Sequence, residues 1–157
     1  MHAVLGLVAA AALAAATLGA WSQSAQAAGP EAATLADRTV WDSVYSAEQA
    51  TRGQTAYEQT CSRCHQPSLG GADESPALAG GAFLSNWSGF TLSELQDRIR
   101  TTMPRNDPGI YGRQLITDVM AYMLQVNGFP AGAADLPVDA DSLAGIRIVD
   151  ARPLAIR

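Results

Sequence analysis

The chain has 157 residues, 48% of them hydrophobic, and a formal net charge of -5; this length predicts one domain. An acidic balance with no Lys, all ten basic residues being Arg, excludes a nucleic-acid face, whose phosphates require a basic surface. Two Cys are too few for a disulfide scaffold.

The hydrophobicity is uneven. Of the first 27 residues 19 are apolar, and the first charge is Glu31. The apolar run from Ala3 to Ala20 leads to Ala25-Gln26-Ala27, a small-residue cleavage pattern. Residues 1–27 therefore read as an export signal peptide, which places the mature protein in the periplasm. The alternative is an uncleaved membrane anchor, since the run is long enough to span. Residues 28–45 read as a flexible leader, with Gly29-Pro30, small residues and no apolar period. Trp41 and Tyr45 at its end are expected to pack where the first helix begins.

Residues 46–129 read as the folded domain. Ser46-Ala-Glu-Gln49 has the form of a capping box and predicts a helix from about Ala47 to Thr60, with Ala50, Gly53, Ala56 and Tyr57 on one face. Cys61-Ser62-Arg63-Cys64-His65 follows. C-x-x-C-H is the attachment sequence of a c-type haem. The two thiols add across the two porphyrin vinyl groups, the two intervening residues let both sulfurs reach one ring edge, and the adjacent imidazole sits below the iron. A zinc site needs four ligands, and the only other His is His2 in the leader. A thioredoxin-like dithiol would require a βαβ context, which is not visible. Export agrees with haem attachment, because c-type haem is normally attached outside the cytoplasm.

Residues 66–90 carry Gly70-Gly71, Pro76 and Gly80-Gly81 and read as a long irregular connection. Thr91-Leu-Ser-Glu94 is a second capping box, opening a helix with Leu92, Leu95 and Ile99 on one stripe. Thr101-Thr102-Met103-Pro104 comes next. A third helix is predicted from about Gly112 to Asn127, with Leu115, Ile116, Val119, Tyr122, Met123 and Val126 at helical spacing; Gly128 and Pro130 stop it. No run alternates with period two, so the fold is read as all-α with long loops, a layout that cannot fill its own core and calls for a prosthetic group. Residues 130–157 read as an extended tail with little regular structure, in which Ile146, Ile148 and Val149 alternate as docking positions.

Three Met side chains after the motif are candidates for a second iron ligand. Met120 and Met123 lie inside the third helix, where Met is usually core filler. Met103 lies 38 residues after His65, and Pro104 biases it towards an extended conformation, which can turn a thioether out of a loop towards a metal. The plainer alternative is a loop Met covering the haem edge.

On these features residues 46–128 resemble a class I c-type cytochrome domain: a helix ending at C-x-x-C-H, a Pro-bearing loop, a middle helix, a Met loop and a final helix. Pro76-Ala-Leu78-Ala-Gly80 resembles the family's Gly-Pro-x-Leu-x-Gly stretch, with Ser75 where the family usually has Gly. The resemblance implies a class I cytochrome c fold of three main helices around one covalent haem c, held by Cys61 and Cys64. It implies His65 and Met103 as iron ligands, the Pro76 carbonyl accepting the His65 N–H, and Leu78 packing on the haem. Gly53, Tyr57, Val119 and Tyr122 resemble the family's contact between first and last helices and are read as packing. A haem with both axial positions filled carries electrons and does not act on a substrate, so the protein is expected to be an electron carrier and not an enzyme.

The likeness of Trp41 to Ile148 to small cytochromes found beside quinoprotein dehydrogenases implies a dehydrogenase donor and an oxidase or another cytochrome as acceptor. Two rivals stand beside this reading: a five-coordinate haem binding a small gas or peroxide, and a haem subunit inside a larger dehydrogenase. Arg98, Arg100 and Arg105 read as a solvated helix face and loop, with propionate neutralisation as the alternative. Trp87 is divided between a haem-propionate neighbour and a cover over the core. With no Lys, the docking face is expected to be mainly apolar, with Arg63 and Arg105 at its rim.

Overall fold

The structure, a computed structural model, describes residues 38–153. The signal expected at residues 1–27 and the first part of the expected leader lie outside the described residues. Within them the chain runs β1 (Arg38–Thr39), α1 (Ala47–Thr60), α2 (Ser62–His65), α3 (Gly80–Trp87), α4 (Leu92–Thr102), α5 (Arg113–Val126), α6 (Ala140–Ala144) and β2 (Ile146–Arg147). Among the described residues no helix is long and apolar enough to cross a membrane.

The all-α expectation holds, with one short parallel pairing of β1 and β2 added. α1 starts at Ser46, whose hydroxyl accepts from the Gln49 N–H at 3.0 Å. Gln49 does not complete the capping box, because its side chain faces inward, fully buried, and bonds elsewhere. At α4 the box is complete: Thr91 caps the Glu94 N–H and the Glu94 carboxylate accepts from the Thr91 N–H, which holds that carboxyl below its usual range.

α1 and α5 pack face to face at Gly53. A Cβ on Gly53 would lie 1.8 Å from the Asp118 carbonyl oxygen, so only glycine permits this approach. Tyr57 and Tyr122 meet beside it at a tilt of 54° with ring centroids 5.5 Å apart, and Val119 is buried. Val126, on the apolar stripe of the sequence, is exposed at the helix end.

Three expectations need correction. Residues 38–45 are not a free leader: Val40, Val44 and Tyr45 are buried, and the Tyr45 hydroxyl donates to the Phe129 carbonyl at 2.7 Å. Trp41 meets Phe129 edge-on with centroids 4.9 Å apart. Residues 80–87 are a helix inside the stretch read as irregular, since burial of Phe83 outweighs the low helix propensity of Gly80-Gly81. The tail is not simply extended: α6 and β2 lie within it, and Leu136, Leu143, Ile146 and Ile148 are buried.

Two buried amides secure that tail. Gln49 of α1 donates to the Leu136 carbonyl at 3.2 Å, accepts from the Leu136 N–H at 2.6 Å and donates to Asp118 at 3.1 Å. Gln96 of α4 donates to the Val138 carbonyl at 3.0 Å and to the Thr117 hydroxyl at 2.9 Å, while Arg113 donates to its oxygen. Beside Gln49, Arg52 pairs with Asp118 at 3.5 Å and with Asp135 at 2.5 Å, and the Ser46 hydroxyl also bonds Asp135. The Leu136 N–H and carbonyl and the Val138 carbonyl thereby find partners, as burial requires.

Candidate functional site

α1 ends at Cys61, and after it the chain makes a single further helical turn, α2, that carries Cys64 and His65. The Cys64 and His65 N–H groups both donate to the Cys61 carbonyl, at 3.1 and 3.0 Å. This turn sets the two thiols on consecutive steps of one coil. Both are free; Cys61 is half-buried and Cys64 exposed. Burial pushes the Cys61 thiol up, against a lowering contact with the Thr60 hydroxyl at 3.2 Å.

His65 is buried, and its Nδ1 lies 2.8 Å from the Pro76 carbonyl oxygen. A carbonyl only accepts, so Nδ1 carries the proton and Nε2 keeps its lone pair. That tautomer is the one needed for an imidazole to ligate through Nε2, and the carbonyl partner fixes the ring.

The loop is folded to bring Pro76 there. The Gly71 N–H donates to the His65 carbonyl at 3.1 Å, and the Leu78 N–H to the Leu69 carbonyl at 2.7 Å. Gly71 has φ +72, and a Cβ on it would lie 2.4 Å from the Ser75 oxygen, so the turn requires glycine. Tyr57 holds the other side by donating to the Gln66 carbonyl at 2.6 Å. Burial, then Cys61 and Tyr122 nearby, push its phenol up to about 12.

Asn127 escaped the sequence reading, where it was only a helix end before Gly128. Its amide nitrogen donates to the Leu78 carbonyl at 3.1 Å and its oxygen accepts from the Gly80 N–H at 2.9 Å. It thus ties the Pro76–Leu78 loop to the end of α5. Leu78 is half-buried against the core.

Met103 is the C-cap of α4, extended at φ -120, ψ 147, and half-buried. Met120 and Met123 are fully enclosed in α5, so they are core filler. Arg105, just beyond Met103, pairs with Glu74, two residues before Pro76, at 2.7 Å. The His65-supporting loop and the Met103 loop are therefore neighbours. Arg105 stays 70% exposed in this pair, and Arg63 is exposed as well. Trp87 packs edge-on against Phe90, centroids 5.7 Å apart, which favours the covering role.

The donor set fits one covalent haem: two unpaired thiols on one coil, an imidazole with a free Nε2, and a thioether outside the packed core. A multi-ligand metal site does not arise, since among the described residues no three His, Cys, Asp or Glu side chains converge to hold an ion.

Residues 48–123 match the family model described as cytochrome C oxidase, cbb3-type, subunit III. The match takes in the attachment motif, Pro76, Leu78 and Met103. A solved structure, the sulfane dehydrogenase SoxCD from Paracoccus pantotrophus, is similar with a TM-score of 0.48 and 18% sequence identity. The likeness covers 68% of this chain and 61% of that one, so the chain spans about three-fifths of the solved chain it matches. No curated protein matches significantly.

Proposed function

We propose that this chain, whose residues 48–123 are a class I c-type cytochrome domain, carries single electrons through one covalent haem c in the periplasm, from a dehydrogenase to an oxidase or another cytochrome. The observation that carries the reading is the His65 Nδ1–H donated to the Pro76 carbonyl at 2.8 Å, directly beside two free thiols at C-x-x-C spacing. When bound, the haem supplies one-electron exchange between Fe(II) and Fe(III).

The chain's residues do the rest. Cys61 and Cys64 hold the ring edge, and His65 offers Nε2 in a fixed tautomer. Met103, in its extended segment, would offer a second ligand. Leu78, Tyr57 and the α1–α5 contact exclude water from the crevice. With His65 and Met103 both holding the iron, no coordination position would be left open, which supports electron transfer over substrate chemistry. Export is supported by the apolar leader and its Ala25-Gln26-Ala27 pattern. The quinoprotein class of donor rests on the likeness of the flanking segments alone.

The test is the visible and near-infrared spectrum of the purified protein. Expected are a covalent haem c on a denaturing gel, a thioether-to-ferric charge-transfer band that disappears in Met103→Ala, and no rapid carbon monoxide binding to the reduced wild type. Rapid carbon monoxide binding would replace this reading with the gas-binding one.

A further inference from the structure

The loop between His65 and α3 does not rest in a conformation its residues prefer. Gln66, Leu69 and Asp73 lie in the left-handed region, at φ 66, 60 and 49. A residue with a Cβ stays there only when its surroundings over-determine it. Pro76 is exposed, so burial of that residue does not hold its carbonyl against His65. Side-chain hydrogen bonds tie the loop to the helices at its two ends. Tyr57 of α1 holds the start, at the Gln66 carbonyl. Asn127, the C-cap of α5, holds the other end.

The Asn127 carboxamide is engaged on both sides. Its nitrogen donates to the Met123 carbonyl of its own helix at 2.8 Å and to the Leu78 carbonyl at 3.1 Å. Its oxygen accepts from the Gly80 N–H at 2.9 Å. Ala79, the N-cap of α3, provides no side-chain cap, so the Asn127 oxygen caps that helix from outside. The two sides of the amide thus do separable things. The oxygen caps α3, and the nitrogen holds the chain two residues past Pro76.

We propose that Asn127 is a positioning residue for the histidine of the iron. Clamping Leu78 to the end of α5, its amide nitrogen keeps the Pro76 carbonyl on His65 Nδ1 and so maintains the tautomer that leaves Nε2 free. The inference rests on the haem reading of the preceding subsection. It has an electrostatic consequence. The carbonyl sets the negative end of a dipole beside the ring, which favours Fe(III); loosening it moves the midpoint to more positive potential.

The experiment uses the haem-loaded protein as wild type, Asn127→Ala, Asn127→Asp and Gln49→Ala. NMR of the reduced protein reads hydrogen exchange of the His65 ring N–H, and potentiometric titration reads the midpoint. Asn127→Ala removes both clamp and cap. Asn127→Asp keeps an oxygen for Gly80, but a carboxylate has no N–H for Leu78 and faces the Leu78 and Met123 carbonyls instead. Gln49→Ala weakens the fold at the tail and touches no bond of the loop.

Exchange should quicken about tenfold in both Asn127 variants, the worth of one net hydrogen bond, and keep the wild-type rate in Gln49→Ala. The midpoint of Asn127→Ala should become more positive. A wild-type exchange rate in Asn127→Asp overturns the inference, because Asn127 is then a helix cap alone. Equal quickening in Gln49→Ala overturns it too, because exchange then follows global opening, and so does an unmoved midpoint in Asn127→Ala. Should Asn127→Ala fail to mature, the exchange rate in Asn127→Asp decides. Covalent haem with an indifferent His65 N–H defeats this inference alone. A wild type without covalent haem defeats the cytochrome reading as well.

Discussion

At the α1–α5 crossing, Gly53, Tyr57, Val119 and Tyr122 pack directly, and Gln49 and Asp118 are buried with their polar atoms bonded. At the attachment turn, Cys61 and Leu78 are only half-buried, Cys64 is exposed, and Met103 stands at the core's edge. The first region is completed by the chain's own atoms. The second leaves two thiols and a thioether partly open to solvent beside a buried imidazole. Stability and function thus come from different halves of the molecule, joined by Tyr57, which packs in one and holds the Gln66 carbonyl in the other.

Breaking the functional half should have an all-or-none effect. Cys61→Ala with Cys64→Ala should abolish covalent haem, read by haem staining on a denaturing gel. Because the crossing is packed by the chain's own side chains, circular dichroism of that protein should still report residual helix, with loosened packing and a lower melting temperature.

The crossing breaks differently. Gly53→Ala sets a methyl 1.8 Å from the Asp118 oxygen, and backbone against backbone cannot yield by a rotamer change. The expected loss is on the order of 3 kcal/mol, measured by denaturant unfolding, with an unchanged haem spectrum in the protein that does fold.

Gln49→Ala sharpens the comparison. It strips partners from the Leu136 N–H and carbonyl and from Asp118, at a cost of about 2 kcal/mol. Limited trypsin digestion should then cut first at Arg147, before the α1–α5 body opens.

The smallest effect is on pH dependence. The Tyr57 phenol is raised to about 12, above the ordinary value near 10, so its neutral form is the one the fold favours. Its contribution is complete below pH 10 and is lost as pH rises through about 12. Unfolding midpoints followed from pH 9 to 12 should fall for wild type and fall less steeply for Tyr57→Phe.

Legibility in the sequence followed the same division. The turn carrying the C-x-x-C-H motif could be placed from its spacing, the extended backbone at Met103 from Pro104, and the burial of Met120 and Met123 from their helical core spacing. Thr91 and Glu94 announced α4 through local hydrogen bonds. The missed features are non-local. Gln49 looked like the end of a capping box, and its turn towards Leu136 depends on a residue far along the chain. Gln96 and Asn127 were silent for the same reason, since a polar residue in a helix reads as solvent-facing until its distant partner is known. α3 was hidden by Gly80-Gly81, whose weak propensity is overridden by the burial of Phe83 and the grip of Asn127 on the Gly80 N–H. Residues 38–45 looked loose because Val40 and Val44 have no local period; the Val40 N–H finds its partner at Arg147 in the tail.

The recognisable family unit ends at Met123, whereas the hydrogen bonds of Gln49 and Gln96 reach Leu136 and Val138, and the Val40 N–H reaches the Arg147 carbonyl at 2.9 Å. The evolutionary module and the cooperative unit are therefore different lengths of chain. A fragment cut at the module's borders would keep Cys61, Cys64, His65 and Met103 and yet strand two interior amides. Anyone transplanting this redox centre into another protein would need to carry residues 38–148 as one piece, since the last strand closes what the first one opens.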